Sequence, residues 1–177
     1  MDVVIETRRL QLRRLCAGDF AAVAAFLQDP SVMYAWEHGF SDREVEDWLA
    51  ENARRYERDG YSYFAALDRA SGLVVGAVGP LVETVGTARV PGVAYILRRD
   101  CWGRGYAFEG ARASAAYLFE EQGTARVCAT IRPDNAASRQ VAERLGMRET
   151  GSFVKHYRGK EMPHLLYEVE AGSLPPL

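Results

Sequence analysis

"YILRRDCWGRGYAFEGARASAAYLFEEQ", residues 95 to 122, decides the fold. An apolar run ends in charge at Arg98 and Arg99. A turn framed by Gly103 and Gly105 follows, and then a helix is predicted from about Ala107 to Gln122. In that stretch Phe108, Ala111, Ala115, Leu118 and Phe119 recur on one helical face. A strand that feeds a glycine turn and then a helix aims several backbone N–H groups at one point, where the helix dipole adds positive potential. Gly103 and Gly105 remove side chains that would hold a phosphate off the backbone. Arg98, Arg99 and Arg104 offer charge-assisted contacts. The turn reads either as an anion site or as a tight connection with no ligand. A dinucleotide fingerprint fits poorly, because "GRGYAF" lacks the third glycine and no acidic residue closes the next strand. A P-loop is excluded, because no Gly-Lys-Ser/Thr is present.

Outward from this turn, short periodic segments alternate. "LQLRRL" (10–15), "YSYFAAL" (61–67), "LVVGAVGP" (73–80), "GVAYIL" (92–97) and "ARVCATI" (125–131) read as strands, as do 150–156 and 164–170. "GDFAAVAAFLQDP" reads as a short helix that Asp19 can cap, with Pro30 beyond its end. "SDREVEDWLAENARRYERDG" carries a capping box at Ser41 and Glu44, an apolar face of Val45, Trp48, Leu49 and Tyr56, and a stop at Gly60. "NAASRQVAERLG" is a helix capped by Asn135 or Asp134 and ended by Gly146. Turns fall at Asp68 to Gly72 and at Arg158-Gly159-Lys160. Hairpin-linked strands mixed with strand–helix–strand units predict an α+β fold of mixed α/β layers, with about seven strands and about four helices.

The chain of 177 residues is read as one domain, 1–177, with a tail from about 172 that frays. A net charge of −2 argues against a nucleic-acid partner. Cys16, Cys101 and Cys128 are odd in number and lack metal-ligand spacing, so reduced thiols and no metal are expected. The opening "MDVVIETRRLQLRRL" does not read as a signal peptide, and no apolar run reaches membrane-spanning length. The expected location is cytoplasmic, with no membrane partner.

With "RPDNAASRQVAERLGM" following the next strand, the chain resembles the GNAT superfamily of acyl-CoA-dependent N-acetyltransferases. In particular it resembles the branch containing the ribosomal-protein-alanine N-acetyltransferases. "ETRRLQLRRL", "SDREVEDWL", "AYILRRDCWGRGYAFEGARA" and "DNAASRQVAERLGM" match that branch's segments in order. The resemblance implies a mostly antiparallel twisted sheet and acetyl-CoA as co-substrate. It places the pyrophosphate on Trp102, Gly103, Arg104, Gly105, Tyr106 and Ala107. The pantetheine arm lies on an open strand edge ending at Ile96, Leu97 and Arg98, with Asn135 and Ser138 beside it. The acceptor is a primary amine, on a small molecule or a peptide, and a homodimer is one assembly open to it.

Acetyl transfer from a thioester to an amine needs a neutral amine, a stabilised oxyanion and a protonated leaving thiolate. Many relatives supply the acid as a tyrosine, where this chain has Ala142. Ser138 of the N-x-x-S motif is the substitute, with helix capping as its plain alternative. For the base, the chain has Pro91-Gly92 where many relatives carry glutamate. Glu83, His38 and His164 are the candidates. Tyr34, Trp36, Glu37 and His38 in "YAWEHGF" are the predicted acceptor contacts, through aromatic walls that favour an amine. Glu109, early in its helix, has a structural role as its plain reading. The runner-up function is a non-catalytic acyl-CoA-binding sensor or scaffold of the same fold.

Overall fold

The computed structural model describes residues 3–176. Eight strands form one sheet among these residues: β1 (Val3–Glu6), β2 (Leu10–Arg14), β3 (Phe64–Asp68), β4 (Val74–Val85), β5 (Ala88–Leu97), β6 (Arg126–Ile131), β7 (Arg148–Tyr157) and β8 (Lys160–Glu170). Their spatial order is β1-β2-β3-β4-β5-β6-β8-β7, and only β5 and β6 run parallel. Four α-helices accompany them: α1 (Phe20–Leu27), α2 (Asp42–Asp59), α3 (Tyr106–Glu120) and α4 (Ala136–Arg144). The mixed-layer expectation holds, and β1 is the strand beyond the expected seven. Its VVIE stretch is four residues long, too short to register as alternation.

The period of two along the central strands sorts side chains into two cores. Ala66 and Val78 face Leu10, Leu12, Ala111 and Leu118, beneath α3. Their sequence neighbours Ala65 and Ala77 face Val23, Phe26, Val45 and Leu49, beneath α1 and α2. Helices therefore cover both faces. The approach of α3 is close: a Cβ on Gly110 would lie 2.7 Å from Val78 Cγ1, so a larger residue there would lift the helix from β4.

The caps follow sequence logic with one exception. Ser41 accepts from Glu44 N–H while the Glu44 carboxylate accepts from Ser41 N–H at 2.8 Å. Asn135 Oδ1 accepts from Ser138 N–H at 3.1 Å. Asp19 does not cap α1 with its side chain. Its carboxylate instead accepts from Arg13 at 2.7 and 2.9 Å and from Cys16 N–H at 2.9 Å. An arginine fork is a stronger partner than one helix N–H, so the ion pair takes the carboxylate. The tail expected to fray is tied down, because Arg112 Nε donates to the Pro175 carbonyl at 2.6 Å and Leu174 packs on the core. Leu177 lies outside the described residues.

Candidate functional site

β5 and β6 share a single register pair, Gly92 with Cys128, and diverge beyond it. Each strand's far side is fully paired, β5 to β4 and β6 to β8. The divergence opens a cavity of about 1000 Å³. Ile96, Leu97, Trp102 and Tyr95 form part of its wall. Past Leu97 the chain makes one 3-10 turn at Arg99–Cys101. Trp102 Nε1 then donates to the Leu97 carbonyl at 3.0 Å, with Arg99 stacked 4.2 Å above the Trp102 ring. Gly103 and Gly105 hold φ of +73° and +81°, a conformation that costs side-chain-bearing residues about 1–2 kcal/mol. Space beyond the Gly103 Cα is open, with nothing within 4 Å of where a Cβ would stand. α3 starts at Tyr106, so its first N–H groups point toward this turn.

A buried carboxylate fixes the turn from below. Glu109 accepts from Thr7 Oγ1 at 2.7 Å, from Arg9 N–H at 2.8 Å and from Arg9 Nε at 2.6 Å. Arg9 also donates to the Arg104 carbonyl at 2.7 Å. Donation from Thr7 and Arg9 outweighs burial and holds the Glu109 carboxyl below its ordinary range. Glu109 therefore joins the β1–β2 turn to α3, the structural role that was its plain reading.

The remaining predicted cofactor residues divide. Gly103, Gly105, Tyr106, Ala107, Asn135 and Ser138 line the cavity together with Ile96, Leu97 and Trp102. Arg98 and Arg104 do not line it. Arg98 turns onto Asp100 at 2.8 and 3.1 Å, and Arg104 contributes its carbonyl to Arg9. Asp100, two residues on, was the sequence signal that an acidic neighbour would take Arg98. On α4, the Ser138 carbonyl accepts from Tyr95 Oη at 3.0 Å, and the Ser138 hydroxyl forms no hydrogen bond among the described residues. Ala142 is buried.

At the other end the walls are aromatic: Trp36, Phe40, Trp48, Tyr63, Phe153 and Tyr157. Between them sit polar groups from distant segments. Lys155 Nζ donates to Glu83 Oε2 at 3.0 Å and to Thr130 Oγ1 at 2.9 Å. His164 Nδ1 lies 2.9 Å from the Met162 carbonyl. A carbonyl only accepts, so Nδ1 carries the proton and Nε2 keeps its lone pair. Burial, aided by Lys155 and Arg132, pushes the His164 pKa below 6.5, so the ring is neutral at pH 7. Lys155, Thr130 and Arg132 were missed from the sequence. The alternation Phe153, Lys155, Tyr157 was the one available signal, since all three share a face of β7.

Two predicted acceptor contacts are corrected. Tyr34 and Trp36 line the cavity, whereas Glu37 and His38 do not. His38 sits between the Trp36 carbonyl at 3.1 Å and Glu44 Oε1 at 2.9 Å and stacks on Tyr157. Both ring nitrogens are engaged by these neighbours, outside the cavity, so neither is turned toward an amine there. Ser41 N–H and then His38 hold the Glu44 carboxyl down to about 2. Glu37, at φ +65°, pairs with Lys160 at 2.7 Å and Arg132 at 3.4 Å. With Tyr34 Oη donating to Asn135 Oδ1 at 2.7 Å, and Arg132 donating to the Ala35 carbonyl at 3.2 Å, residues 34–37 form a strap from α4 to the β7–β8 turn.

Comparison with known proteins places this geometry. A family model described as an acetyltransferase (GNAT) domain matches residues 9–148. The protein YkkB of Bacillus subtilis (strain 168) is 32% identical over 163 residues, covering 92% of each chain. A GNAT-family acetyltransferase of Bacillus anthracis superposes with a TM-score of 0.79 at 24% identity, over 94% of this chain and 97% of that one. RimL, a ribosomal α-N-protein acetyltransferase solved in complex with coenzyme A, superposes with a TM-score of 0.76 at 17% identity, over 96% of this chain and 98% of that one.

Proposed function

The chain belongs to the GNAT acetyltransferase family, and from that premise we propose that it transfers the acetyl group of acetyl-CoA directly to a primary amine. The observation that carries the proposal is the single Gly92–Cys128 pair between β5 and β6, followed by an open edge that runs into the Gly103–Gly105 turn. The unpaired edge of β5 suits an amide-bearing arm, held as an added strand would be. The turn and the start of α3 suit a diphosphate. The open space over Gly103 is where such a group fits. Acetyl-CoA, when bound, supplies the activated thioester.

The protein's own groups then handle protons and charge. His164 Nε2 takes the amine proton, directly or through one water, because it is neutral and faces the cavity. Glu83 lines the same space but is held by Lys155, so it sets the position of that lysine. The unengaged Ser138 hydroxyl would donate a hydrogen bond to the sulfur of the leaving thiolate. The aromatic walls exclude water.

Acetyl-CoA turnover, followed by thiol release across a panel of amines, tests the reading. Release that depends on an amine supports it. Tight coenzyme A binding with no transfer to any amine would favour the sensor or scaffold function instead.

A further inference from the structure

We infer that the acceptor amine carries an anionic group, a carboxylate above all, a few bonds from its nitrogen, and that Lys155 and Arg132 hold that group beside His164. This rests on the transferase reading and narrows it to a class of substrate.

The charges at the acceptor end set the direction. Among the described residues lining the cavity, Glu83 is the one carboxylate, while four cations line it: Arg144, which stacks on Phe108 of α3, and Arg55, Lys155 and Arg132 at the acceptor end. The carboxylates near these cations are shared. Glu37 serves both Arg132 and Lys160, and Glu51 serves both Arg54 and Arg55. Five cations thus face the three carboxylates Glu37, Glu51 and Glu83. A polyamine or other polycation would add like charge to this excess.

The donors left over point the same way. A lysine ammonium has three N–H donors, and Lys155 uses two, on Glu83 and Thr130. Arg132 donates through Nη1 to Ala35 and through Nη2 to Glu37, but its Nε is buried with no acceptor among the described residues. A buried donor without a partner is costly, and native structures rarely keep one without a reason. Sealed as it is, the Arg132 Nε is out of a ligand's reach, but Lys155 keeps one N–H and each Arg132 Nη keeps one more, and a carboxylate supplies two oxygens to accept from them.

Sheet register puts the base within reach of the same group. Phe153 pairs with His164 and Lys155 with Met162, so Lys155 and His164 are diagonal neighbours on one face. Thr130 pairs with Leu166, two residues from His164 and on that same face. Lys155, Arg132 and Glu83 all lie close enough to His164 to act on its charge. An anion held by Lys155 therefore leaves an amine a few bonds away opposite Nε2.

The test is equilibrium binding to the coenzyme A-loaded protein, paired with acetyl transfer from acetyl-CoA. The probes are two matched pairs, L-alanine against L-alaninamide and the C-terminally amidated dipeptide Ala-Glu-NH2 against Ala-Gln-NH2. The first pair reads a free amino acid, the second a peptide N-terminus. At least tenfold tighter binding of the carboxylate member in either pair is expected. Lys155→Met should bring that ratio below threefold, and Lys155→Arg should keep it. A merely structural Lys155 would weaken both members equally. Removing a carboxylate lowers the basicity of the amine, so the kinetic bias runs against the proposal. Equal or better binding of the amides overturns it, whether or not transfer is seen. Carboxylate preference without any transfer would leave the anion site standing and sink the transferase reading alone.

Discussion

The two ends of the cavity are built from different materials. The cofactor end is mostly backbone: an open strand edge, two glycines at positive φ, and the first turn of α3, all within residues 92–109. The acceptor end is side chain: Glu83 from β4, Thr130 and Arg132 from β6, Lys155 from β7, His164 from β8 and Trp36 from the strap. Backbone sites need only local geometry, so a short motif specifies them. Side-chain sites need several strands in register, so they can change without disturbing the fold. On the proposed function, the difference assigns the chemistry shared across a family to one end of this cavity and the choice of amine to the other.

That contrast breaks most visibly at His164. His164→Ala should lower kcat/KM about a hundredfold at pH 7 while leaving acetyl-CoA affinity within twofold. The sign in pH follows from its lowered pKa. The folded ring binds fewer protons than the unfolded one, so stability falls as pH drops through and below 6.5, and the base is lost with it. The parent's log(kcat/KM) should therefore show an acid limb below pH 6.5 that His164→Ala lacks. An unchanged limb would move the base elsewhere.

Gly105→Val tests the backbone end. A β-branched residue at φ +81° meets strain, and its Cβ would stand 3.3 Å from Arg9 Nη2, the side chain that braces the turn. Coenzyme A affinity should fall at least tenfold, about 1.4 kcal/mol, by calorimetry, with the fold retained. Parent-like affinity would show that the turn does not bear the diphosphate.

Ser138→Ala separates chemistry from capping. Asn135, not Ser138, caps α4, so this substitution should leave the melting temperature nearly unchanged while kcat falls about tenfold. Asn135→Ala is the complement and should cost about 1 kcal/mol of stability by thermal melting. A Ser138→Ala enzyme with parent kcat would remove the hydroxyl from the reaction.

The smallest kinetic effect is expected at His38. His38→Ala should change KM for the amine by less than twofold, because the ring is engaged with Glu44 and Trp36 outside the cavity. A tenfold rise would return this residue to the acceptor site and blur the contrast between the ends.

What was legible in the sequence follows the same division. The glycine turn, the Ser41–Glu44 box and the Asn135 cap are each written within a few residues, and all three form as read. The layer architecture was legible because periods of two and 3.6 are local. His38 was misplaced by reading its aromatic neighbours in isolation. Glu44, six residues on and correctly placed in its box, draws the imidazole away from the cavity. Lys155, Thr130 and Glu83 meet from positions 25 to 72 residues apart, and only the β4-β5-β6-β8-β7 order brings them together. No single window of sequence contains that order.

An open sheet ordinarily has two edges, and this one has four. β1 and β7 form the outer pair, and the facing rims of β5 and β6 beyond Gly92 and Cys128 form an inner pair. A row of unpaired amides is a template on which stray chains polymerise. The outer edges carry defences: β1 is only four residues long, and β7 bears the exposed charges Arg148 and Glu149. The inner rims need no such charges, because they are recessed behind the helices and the strap. Burial in a slot lets the protein keep its most receptive backbone bare without offering that edge to a passing strand.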